Sequence, residues 1–231
     1  NWMASMKSFT GTFAVSSFRG STQIGSTSSK TATVLTTATN SAPTMSGFTY
    51  ADSYTTTKTL TGNDQLFVQN YSTLKVTPGT ATAKNGASIS NYTASCNGLS
   101  VSNSTGSAIT VGKIAKSGSV TVTLSVTDSR GYTAETSRTV TVIPYTKPKI
   151  SSVTLRRTND IEAEMQLKFS GFISAVTVDG TQKNSVVYVR YRYKKTSESS
   201  YGSYTSIYSG TTKSGTSFSY SNLELCSLDA N

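Results

Sequence analysis

Residues Ser117 to Ile150 read SGSVTVTLSVTDSRGYTAETSRTVTVIPYTKPKI. Val120, Val122, Leu124 and Val126 alternate there with Thr121, Thr123, Ser125 and Thr127, the two-residue period of a strand with one face in a core and one in water. Asp128-Ser129-Arg130-Gly131 supplies turn chemistry, with an Asp to bond nearby amides and a Gly to accept positive φ. A second strand returns through Thr139, Val140, Thr141 and Val142. Pro144 stops it, Tyr145 to Lys149 form a short linker, and a new strand starts at Ile150. One β-domain therefore closes on a hairpin and passes directly to another. This is the layout of a modular β-rod, which favours a structural or adhesive role over catalysis.

Working outward, the 231 residues suffice for one large domain or two of about 100 residues each. The 13 Tyr, 8 Phe and many Val and Thr argue for folded sheets rather than a disordered polar chain. Residues 1–41 read as the β-rich end of a preceding unit plus a linker. Strands are expected near Phe9 to Val15 and Thr31 to Thr37, with a loop from Phe18 to Lys30, and the segment holds too little apolar surface for its own core. Residues 42–145 form the first clear domain. Its strands are Thr44 to Tyr50, Lys58 to Leu60, Leu74 to Thr77, Ile89 to Cys96, Leu99 to Asn103, Ala108 to Val111 and the hairpin above, with a helical turn at Phe67 to Tyr71. Asn97-Gly98 suits a tight primed turn. Residues 146–231 form a second domain, truncated at its end. Ile161 to Phe169 alternate as a half-buried strand, Asp179-Gly180 turns a hairpin, and Leu223 to Leu228 is the one stretch that suggests a helix. Short strands separated by frequent turn signals are the signature of β-sandwiches.

Histidine is absent, which removes His-based nucleophile pairs, His metal sites and His pH switches. Asp160, Glu162 and Glu164 cluster, but carboxylates on an open sheet face ordinarily pair with Arg or Lys rather than straddle a sugar. Asp52 and Asp64 lack the spacing of a calcium loop. No catalytic residue, metal ligand or cofactor is therefore expected. Cys96 and Cys226 fall in different domains and are expected as unpaired, buried thiols. The 21 basic against 11 acidic residues give a formal charge of +10, yet the cations are scattered and carry no nucleic-acid motif. An anionic wall polymer, an acidic neighbouring subunit or plain solubility suits this charge better than nucleic acid. No stretch approaches the roughly 20 apolar residues that a spanning helix needs.

The surface candidate is Val186 to Lys195, VVYVRYRYKK. Alternation places Val187, Val189, Tyr191 and Tyr193 inward and Tyr188, Arg190, Arg192 and Lys194 together on the other face, with Tyr201 and Tyr204 on the next strand. Tyr rings beside guanidinium groups stack on sugars and pair with phosphates. The same residues also fit an exposed sheet face whose Arg stems cover Tyr rings, or a subunit interface.

The Ser117 to Ile150 stretch resembles the Ig-like modules of tailed-phage tail proteins, where a D-S-R-G turn leads to a V-x-V-x-x-Y-x-x-P-x-I junction. SAPTMSGFTYAD (Ser41 to Asp52) and NYSTLKV (Asn70 to Val76) look like the opening half of such a module, and SFRGSTQIGS (Ser17 to Ser26) resembles the end of a preceding one. The likeness is to siphovirus minor structural or tail fibre proteins of phages infecting streptococci and related Gram-positive bacteria. It implies an all-β chain of tandem Ig-like or fibronectin-III-like sandwiches in a virion tail. Such a chain would be made in the host cytoplasm, be partnered by other tail subunits, be homotrimeric in full length, and contact host glycan or anionic wall polymer. It supplies no catalytic residues. The alternative is an Ig-like stalk of a bacterial surface adhesin. Under either reading the chain is expected to be a piece of something longer.

Overall fold

The computed structural model describes residues 2–157, 164–213 and 217–227. Strands make up 58% and helices 7%, so the chain is mostly β, as expected. The opening residues make one 3-10 turn, Trp2–Ala4, and then a long antiparallel ribbon of β1 (Ser8–Arg19) and β2 (Thr22–Leu35). The stretch from Phe18 to Lys30, expected as loop, is mostly strand. Pairing continues to Arg19 opposite Thr22, and Gly20 carries the turn at φ 61°. Its Ser and Thr residues suit a pleated backbone, and cross-strand hydroxyl pairs hold them. Thr10 bonds Thr33 at 2.9 Å and Ser16 bonds Thr27 at 2.6 Å.

A single helical turn, α1 (Ala38–Ser41), leads into the larger packed body. Its elements are β3 (Thr44–Met45), β4 (Phe48–Asp52), α2 (Thr55–Thr61), β5 (Leu66–Val68), β6 (Thr73–Pro78), β7 (Ala81–Thr82), β8 (Ile89–Cys96), β9 (Leu99–Asn103), β10 (Ile109–Lys113), β11 (Gly118–Asp128) and β12 (Thr133–Ile143). One sheet runs β5-β12-β11-β8-β9, a second runs β10-β6-β4, and β3 pairs with β7. The hairpin that opened the sequence reading is present, with β11 and β12 paired from Gly118 opposite Val142 to Thr127 opposite Thr133. Val120, Val122, Leu124 and Val126 are all buried. Val122, Leu124, Ala94, Val140 and Val142 of the first sheet share one core with Phe48, Leu74, Val76 and Ile109 of the second. Burying each Val or Leu contributes about 1.5–3 kcal/mol, so the two sheets are held chiefly by these side chains.

Two short segments differ from expectation. Lys58 to Leu60 is helical, not a strand, because the Asp52 carboxylate organises the segment from below. It accepts the Tyr54 amide at 2.9 Å, the Thr73 amide at 3.0 Å, the Ser72 hydroxyl at 2.6 Å and the Thr57 hydroxyl. Gly62, at φ 67°, then closes α2 in the left-handed conformation. Phe67 lies on strand β5 rather than in a helical turn. β5 pairs parallel to β12 and buries Phe67 completely, and the chain turns only afterwards, at Asn70. Asn97-Gly98, with φ 48° and 81°, makes the expected primed turn between β8 and β9.

The remaining elements are β13 (Lys149–Arg157), β14 (Glu164–Phe172), β15 (Thr177–Val178), β16 (Thr181–Gln182), β17 (Val186–Tyr191), β18 (Thr205–Lys213) and β19 (Ser217–Ser227). They pair as β13-β14-β19, β15-β16 and β17-β18. A small second core unites Leu167, Phe169, Ile173, Val186 and Val189. An apolar cleft of about 270 Å³ opens beside it, between Ile150, Val153 and Leu155 on one side and Val189 and Ile207 on the other. Asp160, Ile161, Glu162 and Ala163 lie outside the described residues, as does the side chain of Cys226. The helix expected from Leu223 is strand β19 as far as Ser227, with Leu223 opposite Leu167; pairing with β14 overrides local preference.

Between the two cores the chain is tied on both sides. The Tyr145 amide donates to Gln69 Oε1 at 3.1 Å, and the Gln69 side-chain amide donates to the Ala115 carbonyl at 2.7 Å. The next amide, Thr146, donates to Ser174 Oγ at 2.8 Å. Tyr145 also meets Tyr71 edge-on at 5.1 Å, and burial raises its phenol pKa, with the nearby Tyr71 adding to the shift.

Candidate functional site: an aromatic and basic face

β17 brings Tyr188 and Arg190 to one side of its ladder because residues two apart on a strand share a face. The strand ends at Tyr191, so Arg192 and Lys194 lie in the loop that follows it. That loop folds back on itself. The Glu198 amide donates to the Lys195 carbonyl at 3.0 Å, the Lys195 amide donates to Glu198 Oε2 at 2.9 Å, and the Gly202 amide donates to the Tyr193 carbonyl at 3.1 Å. Tyr201 and Tyr204, expected on the next strand, precede β18 instead, and the fold-back returns them to the basic residues.

The result is a continuous ladder of cations over rings. The Arg190 guanidinium lies 4.8 Å from the Tyr188 ring and 5.2 Å from that of Tyr204. Arg192 lies 4.7 Å from Tyr204 and 4.9 Å from Tyr201, and Lys194 Nζ lies 5.5 Å from Tyr201. All six residues singled out from the sequence therefore meet on one surface. The three tyrosines are 62%, 55% and 55% exposed, so they are open to a ligand. Among the described residues, Arg190, Arg192 and Lys194 make no ion pair. Such a face offers flat apolar rings for stacking and fixed positive charge for an anion.

Two details differ from strict alternation. Val187, expected inside, is 46% exposed, because the ladder bulges between Val186 and Tyr188. Tyr193 is exposed as well, since it falls beyond the end of β17.

A second polar cluster escaped the sequence reading, which gave Asp128 only a turn role. Asp128 Oδ2 accepts from Arg130 Nη2 at 2.6 Å and from Nε at 3.1 Å, with both side chains fully buried. Arg130 donates onward to the carbonyls of Ser41 at 2.7 Å and Met3 at 2.9 Å. Lys7 donates to the Gly131 carbonyl at 3.2 Å and lies over the Tyr132 ring, and the Tyr132 hydroxyl donates to the Thr36 carbonyl at 2.9 Å. The turn thus clamps the root of the β1–β2 ribbon. Burial alone would raise the Asp128 pKa, but the Arg130 side chain, the Tyr132 and Arg130 amides and the guanidinium charge outweigh it, and the net shift is downward. Cys96 is buried and unpaired, and burial raises its thiol pKa, so it behaves as an inert apolar group. The local D-S-R-G-Y pattern was visible in sequence, but its contacts lie about 90 and 127 positions away and left no local signal.

No curated protein and no solved structure matches the chain. A family model described as a siphovirus protein of unknown function (DUF859) matches residues 2–228. A mostly β chain with an open aromatic and basic face is thereby placed by its own sequence among the siphovirus proteins: it belongs to that family.

Proposed function

We propose that this siphovirus protein is a non-enzymatic structural component of the phage tail that spaces host-contacting modules and binds anionic host wall polymer. The observation that carries the binding part is the ladder of Arg190, Arg192 and Lys194 over Tyr188, Tyr201 and Tyr204, open to solvent and without a carboxylate partner among the described residues. Stacking on sugar rings and pairing with phosphate or carboxylate need this combination. The spacing part rests on two β-bodies with separate cores, read as Ig-like over residues 42–145 and Ig-like or fibronectin-III-like over 146–231. Two sheets sharing one core support the Ig-like reading of the first. The linker bonds at Tyr145 and Thr146 would limit bending between the two. Membership of a siphovirus family favours a virion part over a bacterial adhesin stalk.

Pull-down of the chain by purified Gram-positive cell wall, at low and high salt, tests the reading. Binding should be strong at low salt and fall as salt screens the cations. The double variant Arg190→Ala/Arg192→Ala should weaken it at least tenfold with the fold intact, as judged by an unchanged Tm. Retention of full wall binding by that variant, or no binding by the parent at low salt, would reduce the protein to a spacer.

A further inference from the structure

The β1–β2 ribbon has two unlike faces. Phe9, Phe13, Val15, Ile24 and Val34 lie on one, as the pairings Phe9 with Val34, Phe13 with Lys30, Val15 with Ser28 and Ser17 with Ile24 require. The other carries the hydroxyl pairs Thr10–Thr33, Thr12–Thr31 and Ser16–Thr27 along its middle, with the exposed Leu35 and Phe18 at its two ends. Phe9 and Phe13 lean toward Gly11 from either side, and a Cβ at Gly11 would sit 3.3 Å from the Phe9 ring. Nothing in the described chain covers this apolar face along its length: Phe13 is 70% and Val15 72% exposed. Phe9, at the root, stacks on Trp2 at 5.7 Å. Two-stranded ribbons are marginal in water on their own. The root of this one is nevertheless fixed to the Asp128–Tyr132 turn by Lys7, Thr36 and Arg130.

We infer that the apolar face of the β1–β2 ribbon docks against the same face of a second copy of this chain, making a dimer through paired arms. The five large side chains expose on the order of 500 Å² together, taking roughly 150–200 Å² for a whole side chain. Two such faces cover on the order of 1,000 Å², the lower bound for a specific interface. Among the large side chains this face carries only two charges, Lys30 opposite Phe13 and Arg19 near the tip, with the small Ser17 and Ser28 between, and both cations can run their stems along the surface to the rim. On the other face the hydroxyl pairs separate Phe18 from Leu35 and leave no continuous apolar surface, so contact is satisfied pairwise and closes at two copies. The two ribbons would stack about 10 Å apart, as packed sheets do.

Sedimentation and light scattering of the full chain test this. The parent should run at twice 24.4 kDa at micromolar concentration, with a mass insensitive to salt, unlike wall binding. Phe13→Ser/Val15→Ser should raise the dissociation constant at least tenfold. Val34→Ser, on the opposite strand, should do so independently and serves as the deciding variant if the double substitution melts the arm. Thr10→Ser/Thr12→Ser, on the hydroxyl face, should leave the dimer in place. A parent at the single-chain mass, a larger assembly, or a dimer untouched by Val34→Ser would overturn the proposal.

Discussion

The Asp128 carboxylate stands between its own turn and the Arg130 guanidinium, which holds the Met3 and Ser41 carbonyls. Asp128→Asn removes the charge and leaves a buried Arg without its partner, a loss of about 3–5 kcal/mol for pairs of this kind. Thermal melts should register it. Hydrogen exchange should rise in residues 2–7 and 36–41, which the turn restrains. The pH dependence has a definite sign. A carboxylate whose folded pKa lies below its unfolded value contributes stability above the unfolded pKa and loses it as pH falls through the folded one. The parent should therefore lose Tm steeply below about pH 4, and Asp128→Asn should show a shallower loss over the same range. Equal slopes would mean that the pair does not stabilise the fold. Asp52 teaches a related lesson: a residue read as a poor metal ligand is a buried acceptor for four donors.

Among elements, length and period decided what the sequence could announce. β11 has 11 residues and an unbroken alternation, so both its existence and its inward face were evident beforehand. β5 has three residues and α2 seven, too short for a period to rise above local composition. β19 took its conformation from β14 across the sheet rather than from its own residues. Leu124 sits at the centre of β11 with no exposure, so Leu124→Ala should cost about 2–5 kcal/mol through lost burial and a residual cavity. Denaturant melts of the larger body measure this directly, and a cost under about 1 kcal/mol would mean that the core there is loosely packed. The aromatic and basic face was half visible. Alternation put Tyr188, Arg190, Arg192 and Lys194 on one face, but the strand ends at Tyr191, and Arg192, Lys194, Tyr201 and Tyr204 meet only because the loop after β17 doubles back.

At the scale of the molecule, the two hydrophobic cores share no residue. The first comprises 14 buried residues and the second 5 among those described, so their stabilities should differ widely. Calorimetry should resolve two transitions, the body built on Leu167 and Phe169 melting first, and Leu124→Ala should lower only the upper one. A single transition shifted as a whole by that variant would mean that the linker bonds couple the bodies into one cooperative unit. The ribbon belongs to neither core. It is attached by hydrogen bonds at its root and exposes an apolar face.

Sequence alone determined the β character, the central hairpin, the inward face of β11 and the pairing of tyrosine with arginine, because each depends on neighbours one or two positions apart. Tertiary structure alone decided the Asp128 clamp, the parallel placement of β5, the strand at Leu223, the closing of the cation ladder and the exposure of the arm. Each of these depends on partners far away in the chain, and no local pattern of side chains encodes a distant hydrogen bond or an uncovered face.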